Sequence, residues 1–289
     1  MKKFCFILIF TLLLGCFCAC APTNEHVQIA ATTLPVYEFT ARLCVGTDIT
    51  VGRVVTESVS CLHDYSLQTR QMRMLEGAEL VVISGAGLED FLELNSAHTI
   101  CDASAGIELL CPEHHHKEHS DHAHESDPHI WLAPKNAKLM CANICENLCK
   151  QYPEHTQTFR NNLTTLSRQL DELQIYAEES LRDLCCREMI TFHDGFAYFA
   201  DAFGLAIIKA VEEESGSEAS AKELIELISL VSEHNLSGVF IERNGSVSAA
   251  DIIAAETGAT IYTLDMAMSG ESYFQAMYHN IDTLKEALG

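Results

Sequence analysis

Residues 188–210 read EMITFHDGFAYFADAFGLAIIKA. A short β-rich apolar run, EMITF, gives way to a helix-like segment and then to a second apolar run, LAIIKA. The alternation continues downstream with a helix over 220–234, GVFIE, a helix over 247–257, ATIYTL, and a terminal helix from Ser272. Strands alternating with helices predict a parallel sheet with crossover helices. Such a sheet binds ligands in the crevice outside the carboxyl ends of its strands. His193 and Asp194 directly follow EMITF, Glu242 ends GVFIE and Asp265 directly follows ATIYTL, so metal-capable side chains fall on that rim.

Upstream, Phe159, Leu163, Leu166, Leu170, Leu173 and Leu181 recur at spacings of three and four, behind Pro153 and with no internal Gly or Pro. One continuous helix from Pro153 to about Cys185 is predicted, of about 30 residues and about 45 Å. A separate helix is predicted from Pro134 through Lys150. Before it, VQIAATT, ITVGRVV, LVVIS and residues 99–102 read as strands. Helices are expected over 37–44 and 67–77, with a short one after LVVIS. The expected fold is α/β: two lobes, each a mostly parallel sheet flanked by helices, joined by a single long backbone helix. The expected divisions are a signal peptide over 1–20, a first lobe over 24–152, the linking helix over 153–186 and a second lobe over 187–289.

Residues 113–131, EHHHKEHSDHAHESDPHIW, hold half of the 14 histidines, which points to transition-metal handling. His114, His115, His116, His119, His122 and His124 sit in a polar repeat that cannot bury apolar surface, so they are expected to form a disordered accessory collector. After Ser126 the pattern changes to DPHIWLAP, where Pro128 and Trp131 suggest a fixed backbone and a packed wall around His129. His63, in CLHDY, follows ITVGRVV and precedes a helix. Two histidines from the first half, with one histidine and a carboxylate from the second, would give a tetrahedral N/O set suited to zinc in the cleft between the halves. Singly, each residue also has an ordinary role: His63 as a loop or capping histidine, Asp265 as a cap for the last helix.

Lys2 and Lys3 precede an apolar run over 4–14, too short for a membrane span and typical of an export signal. LLGC, ending at Cys16, has the form of a lipidation site, with Cys20 a second candidate. The formal net charge of −23 excludes a nucleic-acid partner, since phosphate binding needs clustered Lys and Arg. Four of the 13 cysteines precede residue 21; the odd remainder, with no CxxC pair, suggests neither a disulfide framework nor a zinc ribbon. Cys141, Cys145 and Cys149 recur every four residues and read as small core residues on one helix face.

TFHDGFAYFADAFGL followed by GSEASAKEL, together with DPHIWLAPKNA, GLEDFL and AAETGA, resembles the bacterial ABC-transporter solute-binding proteins for zinc and manganese. The His-rich insert before DPH is characteristic of their zinc-uptake branch. The resemblance spans the mature chain. It implies a non-enzymatic, extracytoplasmic zinc-binding protein, monomeric and lipid-anchored or else periplasmic, that passes Zn²⁺ as transported ligand to an ABC permease and its ATPase. It places His63, His129 and His193 on ligand positions and Asp265 where many members supply a carboxylate. Histidine rather than Glu at position 193 favours zinc over manganese. Two departures stand out: Cys61 and Leu62 replace the Asp-Pro that usually precedes the first histidine, and the usual Pro is missing after Asp265, where Glu242 or water could substitute. A manganese- or iron-binding subunit of the same transporter class is the nearest alternative. An exported zinc hydrolase is disfavoured, because HExxH is absent and only the acidic run over 212–214 could be nominated as base.

Overall fold

Two four-stranded sheets, all parallel, frame a computed structural model that describes residues 27–57, 62, 65–92, 99–110, 126–211 and 219–289. The first contains β1 (Ile29–Ala31), β2 (Val51–Arg53), β3 (Leu80–Ile83) and β4 (Ile100–Asp102), in the order β2-β1-β3-β4. The second contains β5 (Glu188–Thr191), β6 (Ala206–Ala210), β7 (Gly238–Glu242) and β8 (Thr260–Leu264), in the order β6-β5-β7-β8. The second sheet thus repeats the strand order of the first. In each, the earliest strand is central, and β1 is fully buried, as expected of a parallel strand covered on both faces.

Helices α1 (Leu34–Leu43), α2 (Thr69–Gly77) and α3 (Pro134–Gln151) flank the first sheet. After α4 (Thr156–Ser180), helices α5 (Ala197–Phe203), α6 (Ala221–Glu233), α7 (Ser248–Thr257) and α8 (Tyr273–Leu288) flank the second. Local chemistry sets several of these ends. Pro134 opens α3, where a missing N–H costs nothing. Ser220 and Glu223 form a reciprocal capping box on α6.

The fold class reads correctly from the sequence, with three local corrections. The helix expected from Pro153 to about Cys185 is a 3-10 turn (Pro153–His155) followed by α4, whose 25 residues span about 38 Å. Just past its end, Arg187 Nη2 donates to Leu181 O at 2.8 Å and to Arg182 O at 3.0 Å and ties down the chain as it leaves the helix. Leu181 stays buried, although outside the helix. VQIAATT contracts to three strand residues, as Thr32 and Thr33 turn their hydroxyls to Glu89 and Ser84. Among the described residues, no helix lies between β3 and β4; Gly85, Ala86 and Gly87 are all left-handed there, with φ of 81°, 55° and 86°.

One hydrophobic core runs through both lobes, from Ile29, Phe39 and Leu43 through Ile144, Phe159 and Leu170 to Phe199, Tyr273 and Ile281. Helix α4 packs on α1, α3 and α8 and so touches both halves. The half-buried ion pair of Glu38 with Arg42, on α1, is extended into the second lobe. Glu38 accepts hydrogen bonds from the Ser272 hydroxyl at 3.2 Å and from the Tyr273 N–H at 2.5 Å, and so caps α8 across the divide. Arg42 lies over the Phe274 ring at 4.8 Å, and Arg53 donates to Gly270 O at 2.8 Å. Among the described residues, no helix is long and apolar enough to cross a membrane.

Candidate metal centre

The rim above β5 and β7 supplies the first half of the site. These strands pair in parallel, Thr191 opposite Phe240, so both chains leave the sheet on the same side. His193 and Glu242 therefore meet at the carboxyl ends: His193 Nδ1 lies 3.6 Å from Glu242 Oε2, and the Glu242 side chain is only 4 % exposed. His129 comes from the other lobe, at the entry to a 3-10 turn (Ile130–Leu132). Asp127 Oδ1 accepts the His129 backbone N–H at 2.8 Å and lies 2.8 Å from its Nδ1. A carboxylate at Nδ1 holds the proton there and leaves Nε2 as the donor nitrogen, the arrangement common in zinc-ligating histidines. His129 has such a carboxylate in Asp127, whereas Glu242 stands near His193 Nδ1 at 3.6 Å, beyond hydrogen-bond distance.

The two rings meet across the lobes with centroids 5.3 Å apart, nearly perpendicular at 83°. Gly195 makes that approach possible. A Cβ there would stand 2.7 Å from His193 Cδ2, 3.0 Å from His129 Cε1 and 2.5 Å from Met266 Cε, so only glycine leaves room for all three. The wall is fixed by Trp131, whose indole N–H donates to Met266 O at 2.8 Å, while the Tyr273 hydroxyl donates to Trp131 O at 2.9 Å. The expected packed wall beside His129 is thus present and spans both lobes; Trp131 is fully buried.

Asp265 lies on the rim beyond β8, next to Met266, and is buried. Its backbone is clamped by Asn280, which accepts from Asp265 N at 2.7 Å and donates to Asp265 O at 2.7 Å. Its carboxylate accepts the Ala267 N–H at 2.8 Å and pairs with Arg243 Nε at 3.0 Å. Ala267 holds a left-handed backbone, φ 55°, to close this loop.

The family of zinc-uptake complex component A, periplasmic, matches residues 29–287. The chain belongs to this family. Its members are metal-binding solute-binding proteins rather than enzymes. It is 28 % identical to the zinc-binding protein AdcA of Streptococcus pyogenes over 90 % of its own length, yet spans only 55 % of that longer protein. The high-affinity zinc uptake system protein ZnuA of Bacillus subtilis is 27 % identical over 92 % of this chain and 88 % of its own. A crystal structure of ZnuA superposes with a TM-score of 0.78, at 27 % identity, over 91 % of this chain and all of the other.

Among the described residues, no group of three or more His, Cys, Asp or Glu gathers closely enough to hold a metal ion. His63 and Cys61 lie outside the described residues, as do Cys16, Cys20, the acidic run over 212–214 and the six histidines from His114 to His124. The flanks of the His63 segment are firmly tied: the Glu57 carboxylate accepts from the Tyr65 hydroxyl at 2.7 Å and from Gln71 Nε2 at 3.0 Å. Those bonds, Tyr65 foremost, lower the Glu57 pKa. The cysteine stripe is core, as read: Cys141 and Cys145 are buried, and burial raises the thiol pKa, to about 12 for Cys145. Protonated thiols of this kind are poor metal ligands.

Four contributors escaped the sequence reading: Asp127, Gly195, Tyr198 and Arg243. Asp127 stands two residues before His129 and carried a usable signal, since Asp two residues ahead is the spacing of a local side-chain-to-backbone bond. Tyr198 carried none. From α5, its hydroxyl accepts from Leu110 N at 2.9 Å and donates to Asp127 O at 3.2 Å, while Asp127 N donates to Leu110 O at 3.1 Å. The second lobe therefore grips both ends of the segment that carries the histidine repeat.

Proposed function

We propose that this protein is the extracytoplasmic zinc-capture subunit of an ABC importer, holding one Zn²⁺ between its lobes through His63, His129 and His193. The observation that carries this reading is the meeting of His129 and His193 from opposite lobes, with Asp127 2.8 Å from the Nδ1 of the first and Glu242 3.6 Å from that of the second. Neutral imidazoles are the donors zinc favours, and His63 supplies the third. Asp265 is the fourth donor held in reserve, its carboxylate engaged by Arg243 and the Ala267 N–H, and Glu242 stands behind His193 as its orienting partner. The zinc-uptake names carried by the relatives support the choice of metal. Zinc is cargo, bound on the outer side and passed to a permease driven by its ATPase. The chain works as a monomer, tethered through a lipidated Cys16 or Cys20, and the histidines from His114 to His124 collect zinc for the built site.

The inter-lobe bonds from Glu38, Arg53, Trp131 and Tyr273 favour small loop shifts over wide closure for metal release. Calorimetric titration with Zn²⁺, with Mn²⁺ as competitor, tests the reading. One tight zinc site that outcompetes manganese and disappears in both His129→Ala and His193→Ala is the expected result. Tight binding that survives both substitutions would refute it.

A further inference from the structure

Asp265 is a carboxylate that another residue already holds. Its Oδ2 pairs with Arg243 Nε at 3.0 Å, and its Oδ1 accepts the Ala267 N–H at 2.8 Å. Arg243 is placed for this by the sheet: its own N–H donates to Leu264 O at 2.8 Å, so it leaves β7 directly alongside the residue that follows β8. The Asp265 side chain is 8 % exposed while that of Arg243 is 53 % exposed, so the guanidinium reaches inward from the surface to a buried anion. Guanidinium and a divalent cation compete for the same carboxylate lone pairs, and in a partly desolvated site that competition is strong. Two metals would feel it unequally. Zinc is well served by imidazole nitrogens, whereas the harder manganese depends on carboxylate oxygen.

We propose that Arg243 is a metal-selectivity residue: by holding Asp265 it withholds the hard oxygen donor from the site and so favours zinc over manganese. The inference rests on the His63–His129–His193 reading of the site. It requires no contact between Arg243 and metal, since Arg243 acts through Asp265.

Competition titration of Zn²⁺ against Mn²⁺ on the purified protein tests it, using Arg243→Gln, Arg243→Lys, Asp265→Asn and the Arg243→Gln/Asp265→Asn double variant. In Arg243→Gln, manganese gains on zinc by about tenfold, the scale of second-sphere effects on metal affinity. Arg243→Lys keeps a cation beside Asp265 and retains most of the original preference. The double variant shows no gain over Asp265→Asn alone. An unchanged ratio in Arg243→Gln, or a gain that persists in the Asp265→Asn background, overturns the proposal. His129→Ala in the same series separates the two levels. Zinc that stays tight there removes the underlying site, whereas zinc lost there with an unmoved Arg243→Gln ratio removes only the selectivity role.

Discussion

At the carboxyl end of β1, Thr32 gives its hydroxyl to Glu89 at 2.6 Å, and Glu89 also accepts the Ser84 and Gly85 N–H groups at 2.7 and 2.9 Å. At the carboxyl end of β5, which occupies the same place in the second sheet, stand His193 and, on the neighbouring strand, Glu242. One rim turns its carboxylate inward to satisfy its own backbone. The other aims its carboxylate at an imidazole facing the cleft. Among the described residues, the rim of the second sheet supplies His193 and Glu242 to the proposed site, while the first lobe supplies His129 from a 3-10 turn anchored by Asp127.

The sharpest way to break this contrast is to remove an imidazole from the working rim. His193→Ala should weaken zinc binding by about 150-fold, taking one ligand as roughly a quarter of the ~12 kcal/mol typical of zinc sites. Thermal stability should barely move. Calorimetry alongside thermal melts reads both, and intact zinc affinity would show that the second rim is not the working one.

Crowding the rings comes next. Gly195→Ala places a methyl against both histidines and Met266, and should cost about ten- to a hundredfold in zinc affinity. Glu242→Gln, which weakens the orienting partner of His193, should cost about tenfold, with Glu242→Asp recovering part of it. An unchanged affinity in either variant would mean that the His193–Glu242 geometry is incidental.

The first rim should respond in the opposite way, through stability and pH. Burial raises the Glu89 pKa from 4.5 to about 7, opposed in part by its Thr32, Ser84 and Gly85 bonds. The folded state then holds a proton that the unfolded chain has released. Stability should therefore fall as pH rises from about 4.5 to about 7, by about 3 kcal/mol in all, and level off above that. Glu89→Gln removes the titration and should flatten the slope in urea midpoints measured across that range, with little change in zinc affinity. A zinc affinity that fell with Glu89→Gln would dissolve the distinction between the rims.

The strand–helix alternation and the strand-end positions of His193, Glu242 and Asp265 were legible because each apolar run is short, β-rich and followed at once by a polar residue. His129 was legible through the change of texture from DHAHES to DPHIW. What escaped depends on distances between residues remote in sequence. The Arg243–Asp265 pair exists because β7 and β8 lie side by side, and the turn after α4 is held by Arg187 reaching back to Leu181 and Arg182. The grip of Tyr198 on Leu110 and Asp127 likewise needs α5 folded against the other lobe. None of these leaves a periodic trace.

The account turns on His129 and His193 sharing one metal across the lobes. Crystals of the protein carrying one equivalent of zinc, measured on both sides of the zinc absorption edge, test that most directly. A single anomalous peak about 2.0–2.1 Å from Nε2 of both His129 and His193, with His63 completing the imidazole set, is the predicted result. A peak bonded to only one of these two histidines, or seated among residues 114–124 with the inter-lobe position empty, would contradict it.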